Sequence, residues 1–275
     1  MKKHINIKNK LIPIGFQIVL LLIWQMVVDK NIVERFMLPS PKDIITTLFE
    51  ILPTIKQHIY ITLKEAMIGF SIAIVLALIL AILMDSIKVI RKAIYPILVV
   101  SQTIPIIAIA PLFAMWFGFG ILPKVIVVVL VCFFPIVISL MDGLDSVDKD
   151  MVNLLKSMGA NKLQIFRVVK FPSSMVNFFS GLRIAATYSI MGAVIGEWLG
   201  GSKGLGVYML RVKHSYALNK VFAVILIIVV LSMALFGLLF LIQYLIMPWE
   251  RNTDIVPNEK KESSEGCATL DIIRR

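Results

Sequence analysis

Histidine and cysteine are nearly absent from this chain of 275 residues, which carries three of the first and two of the second. Cys132 falls inside an apolar run and Cys267 in a polar tail, so neither a disulfide framework nor a zinc site is expected. His4, His58 and His214 all lie outside the apolar runs, which leaves no His-Glu-x-x-His pair and no nucleophile with a base at membrane depth. The glycine-rich stretch 200–206 lacks the G-x-x-x-x-G-K-[ST] spacing of a phosphate-binding loop. These absences argue against an enzyme and against a nucleotide site on this chain; no catalytic residue and no metal ligand is assigned. Charge is scarce as well, with Asp, Glu, Lys and Arg making up 16% of the residues against about a quarter in a typical soluble domain.

Apolar side chains fill the space instead, at 59% of the residues. They gather in runs long enough to cross about 30 Å of hydrocarbon. Six such runs, at 11–28, 66–84, 94–117, 121–141, 178–200 and 221–247, predict an all-α polytopic membrane protein with about six transmembrane helices. Pro105 and Pro111 fall inside the third run and are expected to kink or break it. The first run follows Met1-Lys2-Lys3 as a signal peptide would, yet it passes into Asp29-Lys30 without a small-residue cleavage site, so it is read as a retained helix. Ile44, Ile45, Leu48, Phe49 and Leu52 have helical spacing and are expected to form a separate helix along the outer membrane surface. From Arg251 the composition turns polar, and the tail is expected to be disordered. The organisation is thus a cytosolic N-terminus at 1–10, a transmembrane domain at 11–250 and a cytosolic tail at 251–275.

Orientation follows from the basic residues. With the N-terminus inside, 17 of the 28 Lys and Arg face the cytosol and 10 face outwards, with Arg183 just inside the fifth run. That bias favours both termini in the cytosol. The net charge of +11 then reads as topological, facing anionic headgroups of the bilayer, and not as a nucleic-acid surface.

One cytosolic loop, 142–172, carries an unusual pattern. Met151, Leu154, Leu155 and Met158 fall at i, i+3, i+4 and i+7, which places all four on one face of a short helix. Gly159 suits a left-handed helix end, Asn161 with Gln164 three residues on suits the cap of a second helix, and Pro172 is expected to limit where that second helix stops. A helix, turn, helix of this kind predicts a docking surface. Its apolar face needs cover, from a partner protein or, in the competing reading, from the inner leaflet.

Polar residues within the runs are candidates for a transport pathway: Gln102, Thr103 and Pro105 near the expected break, and Tyr188 and Glu197 in the fifth run. The alternative for the first three is interhelical hydrogen bonding, and for Glu197 a place at the membrane interface beside Trp198. Ala73, Ala77 and Ala81 form a small-residue ridge read as packing. Gly192, Gly196 and Gly200 form another, read as a moving or pore-facing helix.

In combination, Leu38-Pro39-Ser40-Pro41, Gly69-Phe70, Pro105 with Ala108, Pro111-Leu112, Trp116-Phe117-Gly118, Gly159-Ala160 with Pro172, Gly181-Leu182-Arg183 and Gly204-Leu205-Gly206 resemble a known family. They are similar to the membrane permease subunits of binding-protein-dependent ABC importers, the group serving sulfonates, taurine, nitrate and thiamine-precursor pyrimidines. The resemblance covers 24–249. It implies a type I ABC importer permease fold in a bacterial cell membrane, a second permease copy, a cytosolic ATPase dimer that holds ATP and Mg, and an extracellular or periplasmic substrate-binding protein. No cofactor on this chain itself is implied. The ATPase-coupling role falls by resemblance on Met151, Asn153, Leu154, Leu155, Met158, Gly159, Ala160 and Pro172. Where the family pattern begins Glu-Ala-Ala, this chain has Asn153-Leu154-Leu155, which removes a contact expected of the glutamate and makes the face more apolar. The stretches 154–160, 179–188 and 196–200 are most similar to permeases for thiamine-precursor pyrimidines, with sulfonate-type or riboflavin-like cargo as alternatives. A transporter working without ATP would need coupling carboxylates or inverted repeats at mid-membrane, and a scaffold that only recruits a partner is the third class of reading.

Overall fold

The computed structural model describes residues 7–248, and all regular structure among them is helical. In chain order the helices are α1 (Ile7–Asp29), α2 (Pro41–Ser86), α3 (Lys88–Ser101), α4 (Ile106–Phe117), α5 (Ile121–Asp145), α6 (Lys149–Ser157), α7 (Lys162–Ile165), α8 (Phe171–Trp198), α9 (Leu205–His214) and α10 (Leu218–Ile246). A π-helical turn, Phe166–Lys170, joins α7 to α8. The start of the expected N-terminal segment, the expected tail at 251–275 and Cys267 lie outside the described residues.

Five helices are long and apolar enough to cross a membrane, or six if α3 and α4 count as one broken span. The class is therefore the expected one, all-α and polytopic. Between α3 and α4 the axis turns by 102°. The cause is local: Pro105 has no N–H to continue a helix and sits in an extended conformation, φ −68° and ψ 112°, as the cap of α4. Pro111, by contrast, is accommodated within α4.

The structure corrects the expectation for the segment before the second apolar run. Residues 44–52 do not form a separate surface helix; they are the beginning of α2, whose 46 residues run unbroken through the second apolar run. At 1.5 Å per residue such a helix is about 69 Å long, more than twice the hydrocarbon thickness, so about half of it projects beyond the membrane core. A reciprocal cap starts it: the Asp43 N–H donates to Ser40 Oγ at 3.1 Å and the Ser40 N–H to Asp43 Oδ2 at 3.3 Å. Between the fifth and sixth apolar runs the chain forms a further helix, α9.

Within 7–236, α5 and α8 pack against each other along much of their length, with α2 alongside. Missing side chains allow this approach. A Cβ on Gly69 would lie 2.5 Å from Val128, one on Gly181 2.7 Å from Ser139, and one on Gly196 2.9 Å from the Lys124 Cα. Gly192 and Gly196 thus face α5 inside the bundle, which corrects the reading of that ridge as pore-facing. Ala73, Ala77 and Ala81 are fully buried, as packing requires. Residues 237–248 belong to a second unit, whose described part is the end of α10 and two residues beyond it; Leu238, Phe240, Leu241 and Leu245 are exposed there.

Candidate functional site

The 142–172 loop folds as local chemistry dictates. Asp148 caps α6 by accepting the Asp150 N–H at 2.8 Å. At the other end Gly159 takes φ +84°, its N–H donates to Lys156 O at 2.9 Å, and the Ala160 N–H reaches back to Leu155 O at 3.0 Å. That pair of bonds is a Schellman motif, and it needs a left-handed residue at Gly159. Two residues on, the Asn161 N–H donates to Gln164 Oε1 and the Gln164 N–H to Asn161 Oδ1, both at 2.8 Å, forming the capping box of α7. Pro172 does not stop this second helix. The chain passes from α7 through the π turn into α8, and Pro172 falls in the first turn of α8, where a missing N–H costs least.

The apolar face of α6 has no cover from the rest of the chain. Met151, Leu154 and Met158 are 52%, 61% and 74% exposed, while Leu155 and Ala160 are half-buried on the underside of the turn. No residue of α6 is buried. Leu163 and Val168 are also exposed and extend the surface, whereas Ile165 and Val169 point inwards and anchor it. Sequence reasoning missed Leu163 and Val168 because α7 and the π turn do not keep one helical period.

A second cluster lies where the N-terminal ends of α5 and α9 and the C-terminal end of α8 meet α2. Lys124 donates to Glu65 at 2.8 Å, with side chains only 8% and 3% exposed. Glu197, 1% exposed, accepts the Thr62 hydroxyl at 2.6 Å and the Gly206 N–H at 2.5 Å. The Thr62 hydroxyl in turn accepts the Leu205 N–H at 2.8 Å, and His58 Nδ1 pairs with the Gly204 backbone. His58, Thr62 and Glu65 occupy one face of α2 at i, i+4 and i+7, so a single helix face clamps the glycine-rich stretch and the end of α8. Glu197 therefore faces the interior of the bundle. Its carboxylate is taken up by Thr62 and Gly206 and is not turned out to the surface, whereas the neighbouring Trp198 is 37% exposed.

The remaining candidates stand apart from that cluster. Gln102 and Thr103 are exposed at the break between α3 and α4, followed by Pro105, and the Thr103 hydroxyl is spent on Val100 O at 2.7 Å. Tyr188 is half-exposed on α8. The structure does not gather these residues with Glu197 into one hydrogen-bonded group. Among the described residues no cluster of His, Cys, Asp and Glu has the makings of a metal site.

An all-helical bundle with a broken span and an exposed helix, turn, helix is the arrangement that the sequence resemblance implies for an importer permease. Comparison with known proteins agrees. Residues 73–251 match the binding-protein-dependent transport system inner membrane component family. The chain belongs to that family, as a permease subunit of the ABC importers of the sulfonate, taurine and nitrate group. It is 37% identical over 240 residues to the formylaminopyrimidine transport permease protein ThiX of Halalkalibacterium halodurans, covering 87% of this chain and 96% of the relative. To the riboflavin transport system permease protein RibX of Chloroflexus aurantiacus it is 32% identical, over 84% of this chain and 87% of the relative. To the putative aliphatic sulfonates transport permease protein SsuC of Bacillus subtilis it is 27% identical, over 91% and 90%.

Proposed function

We propose that this permease carries a thiamine-precursor pyrimidine inwards, driven by a separate cytosolic ATPase dimer that holds ATP and Mg and docks on α6 and the turn after it. A second copy of the chain completes the pathway and a substrate-binding protein delivers cargo from outside; both termini face the cytosol. The observation that carries the coupling part is the exposed row Met151, Leu154 and Met158 on a rigidly capped helix. Burying three such side chains contributes roughly 4.5 to 9 kcal/mol, at about 1.5 to 3 kcal/mol each, before the cost of association. The cargo rests on the similarity to the formylaminopyrimidine permease.

Uptake tests the cargo. In proteoliposomes holding the permease, its ATPase and its binding protein, labelled formylaminopyrimidine should accumulate only with ATP on the ATPase side, and unlabelled riboflavin or alkanesulfonate should not compete. ATP-driven uptake of labelled riboflavin or alkanesulfonate, with no pyrimidine uptake, moves the cargo to that class and leaves the ATP-driven reading intact.

Gly159 tests the turn. A Cβ there would meet nothing within 4 Å, so only backbone strain opposes substitution. The left-handed region costs an ordinary residue about 1–2 kcal/mol and a β-branched one more. Gly159→Val is expected to insert normally and to lower ATP-driven uptake about tenfold, while Gly159→Asn, which tolerates this conformation, keeps most of it. Equal uptake by the valine variant and the wild type would show that the turn does not hold the coupling geometry.

A further inference from the structure

Four charged side chains from four elements form two ion pairs at the base of the 142–172 loop. Lys170, the last residue of the π turn, donates to Asp85 near the end of α2 at 2.6 Å. Arg91 on α3 donates from both terminal nitrogens to the two carboxylate oxygens of Asp145, the last residue of α5. One pair ties the foot at Lys170 to the end of α2, and the other ties the foot at Asp145 to α3. Asp145 and Lys170 are the two feet from which the loop springs. Asp85 and Arg91 flank the turn between α2 and α3.

We infer that Asp85, Arg91, Asp145 and Lys170 are positioning residues that carry movement of the docking loop into α3 and the broken span beyond it. The inference rests on the docking reading above. Helix α6 buries no residue, so it passes little motion to the bundle by its own packing and must act through the feet of the loop. Stability alone does not account for the Arg91–Asp145 pair: its side chains are 37% and 45% exposed, and such pairs contribute little to folding, whereas Lys170 and Asp85, 26% and 11% exposed, also tie the loop to α2. A two-pronged guanidinium–carboxylate contact does fix orientation, which is what a positioning element requires. From Arg91 the rigid α3 leads directly to Gln102 and the 102° break.

Accessibility of the break to a thiol reagent reads this coupling without needing the cargo. In the permease assembled with its own ATPase, Gln102→Cys on a background lacking Cys132 and Cys267 is labelled with N-ethylmaleimide, with and without ATP. The parent is expected to change its labelling rate at least threefold on adding ATP. Lys170→Asp should retain the ATPase and its basal hydrolysis but bring that ratio close to one, and adding Asp85→Lys should restore at least half of the change. Arg91→Asp with Asp145→Arg should behave in the same way, and Asp85→Asn, which keeps the shape and removes the charge, should lose part of the response. An unresponsive parent, an unchanged ratio in Lys170→Asp and Arg91→Asp, or swapped pairs that retain the ATPase without recovering the response would overturn the inference. Failure of the parent to retain any ATPase is a different result, and it removes the docking reading itself.

Discussion

Leu154→Asp is expected to abolish retention of the ATPase while leaving the permease in the membrane at its normal level. Leu154 is the better probe than Leu155, because it is well exposed whereas Leu155 is half-buried under the Schellman turn and a charge there would disturb the loop itself. On docking, the new carboxylate would lose water without gaining a partner, and even a penalty of about 3 kcal/mol, modest for a buried charge, weakens association about a hundredfold. Co-purification at equal permease expression measures it. If α6 instead lies on the inner leaflet, the variant keeps its ATPase and only the adhesion of the loop to lipid changes.

The largest effect on stability is expected at the other end of the bundle, from Lys124→Met. Lys124 and Glu65 form a buried pair, and removing one partner of such a pair leaves an uncompensated charge at a cost of about 3–5 kcal/mol. Thermal unfolding in detergent should show a marked loss for Lys124→Met and near recovery in the double variant with Glu65→Gln, since removing both charges is often neutral. A single variant as stable as the parent would mean that the pair holds nothing in place. Loss of the pair also loosens the neighbouring glycine-rich stretch, because Gly201 packs directly against the Lys124 side chain.

The helix, turn, helix conformation of the 142–172 loop was legible in the sequence because its signals are local. Gly159, Asn161 and Gln164 act on backbone groups within five residues, and the spacing of Met151, Leu154 and Met158 marks one face without reference to anything distant. The break at Pro105 was legible for the same reason. What escaped was long-range. Polar residues such as His58, Thr62 and Glu65 made the first part of α2 read as loop and surface helix, since hydropathy reports membrane depth and not helicity. Their partners, Gly204, Leu205, Glu197 and Lys124, lie 59 to 146 residues away along the chain. Glu197 stands out in the sequence as a charge in an apolar run, but its inward direction depends on those same contacts. Pro172 misled because a proline inside a helical pattern usually ends it, whereas here the π turn shifts the register and begins α8 around it.

A photoreactive amino acid placed at Met158, the most exposed position of the docking face, tests the central claim most directly. Irradiated in membranes that contain the assembled importer, it should yield an adduct with the ATPase polypeptide, and that adduct would also place the loop on the side of the membrane where ATP is consumed. Adducts with lipid alone, under conditions in which the ATPase is present and active, would contradict the account.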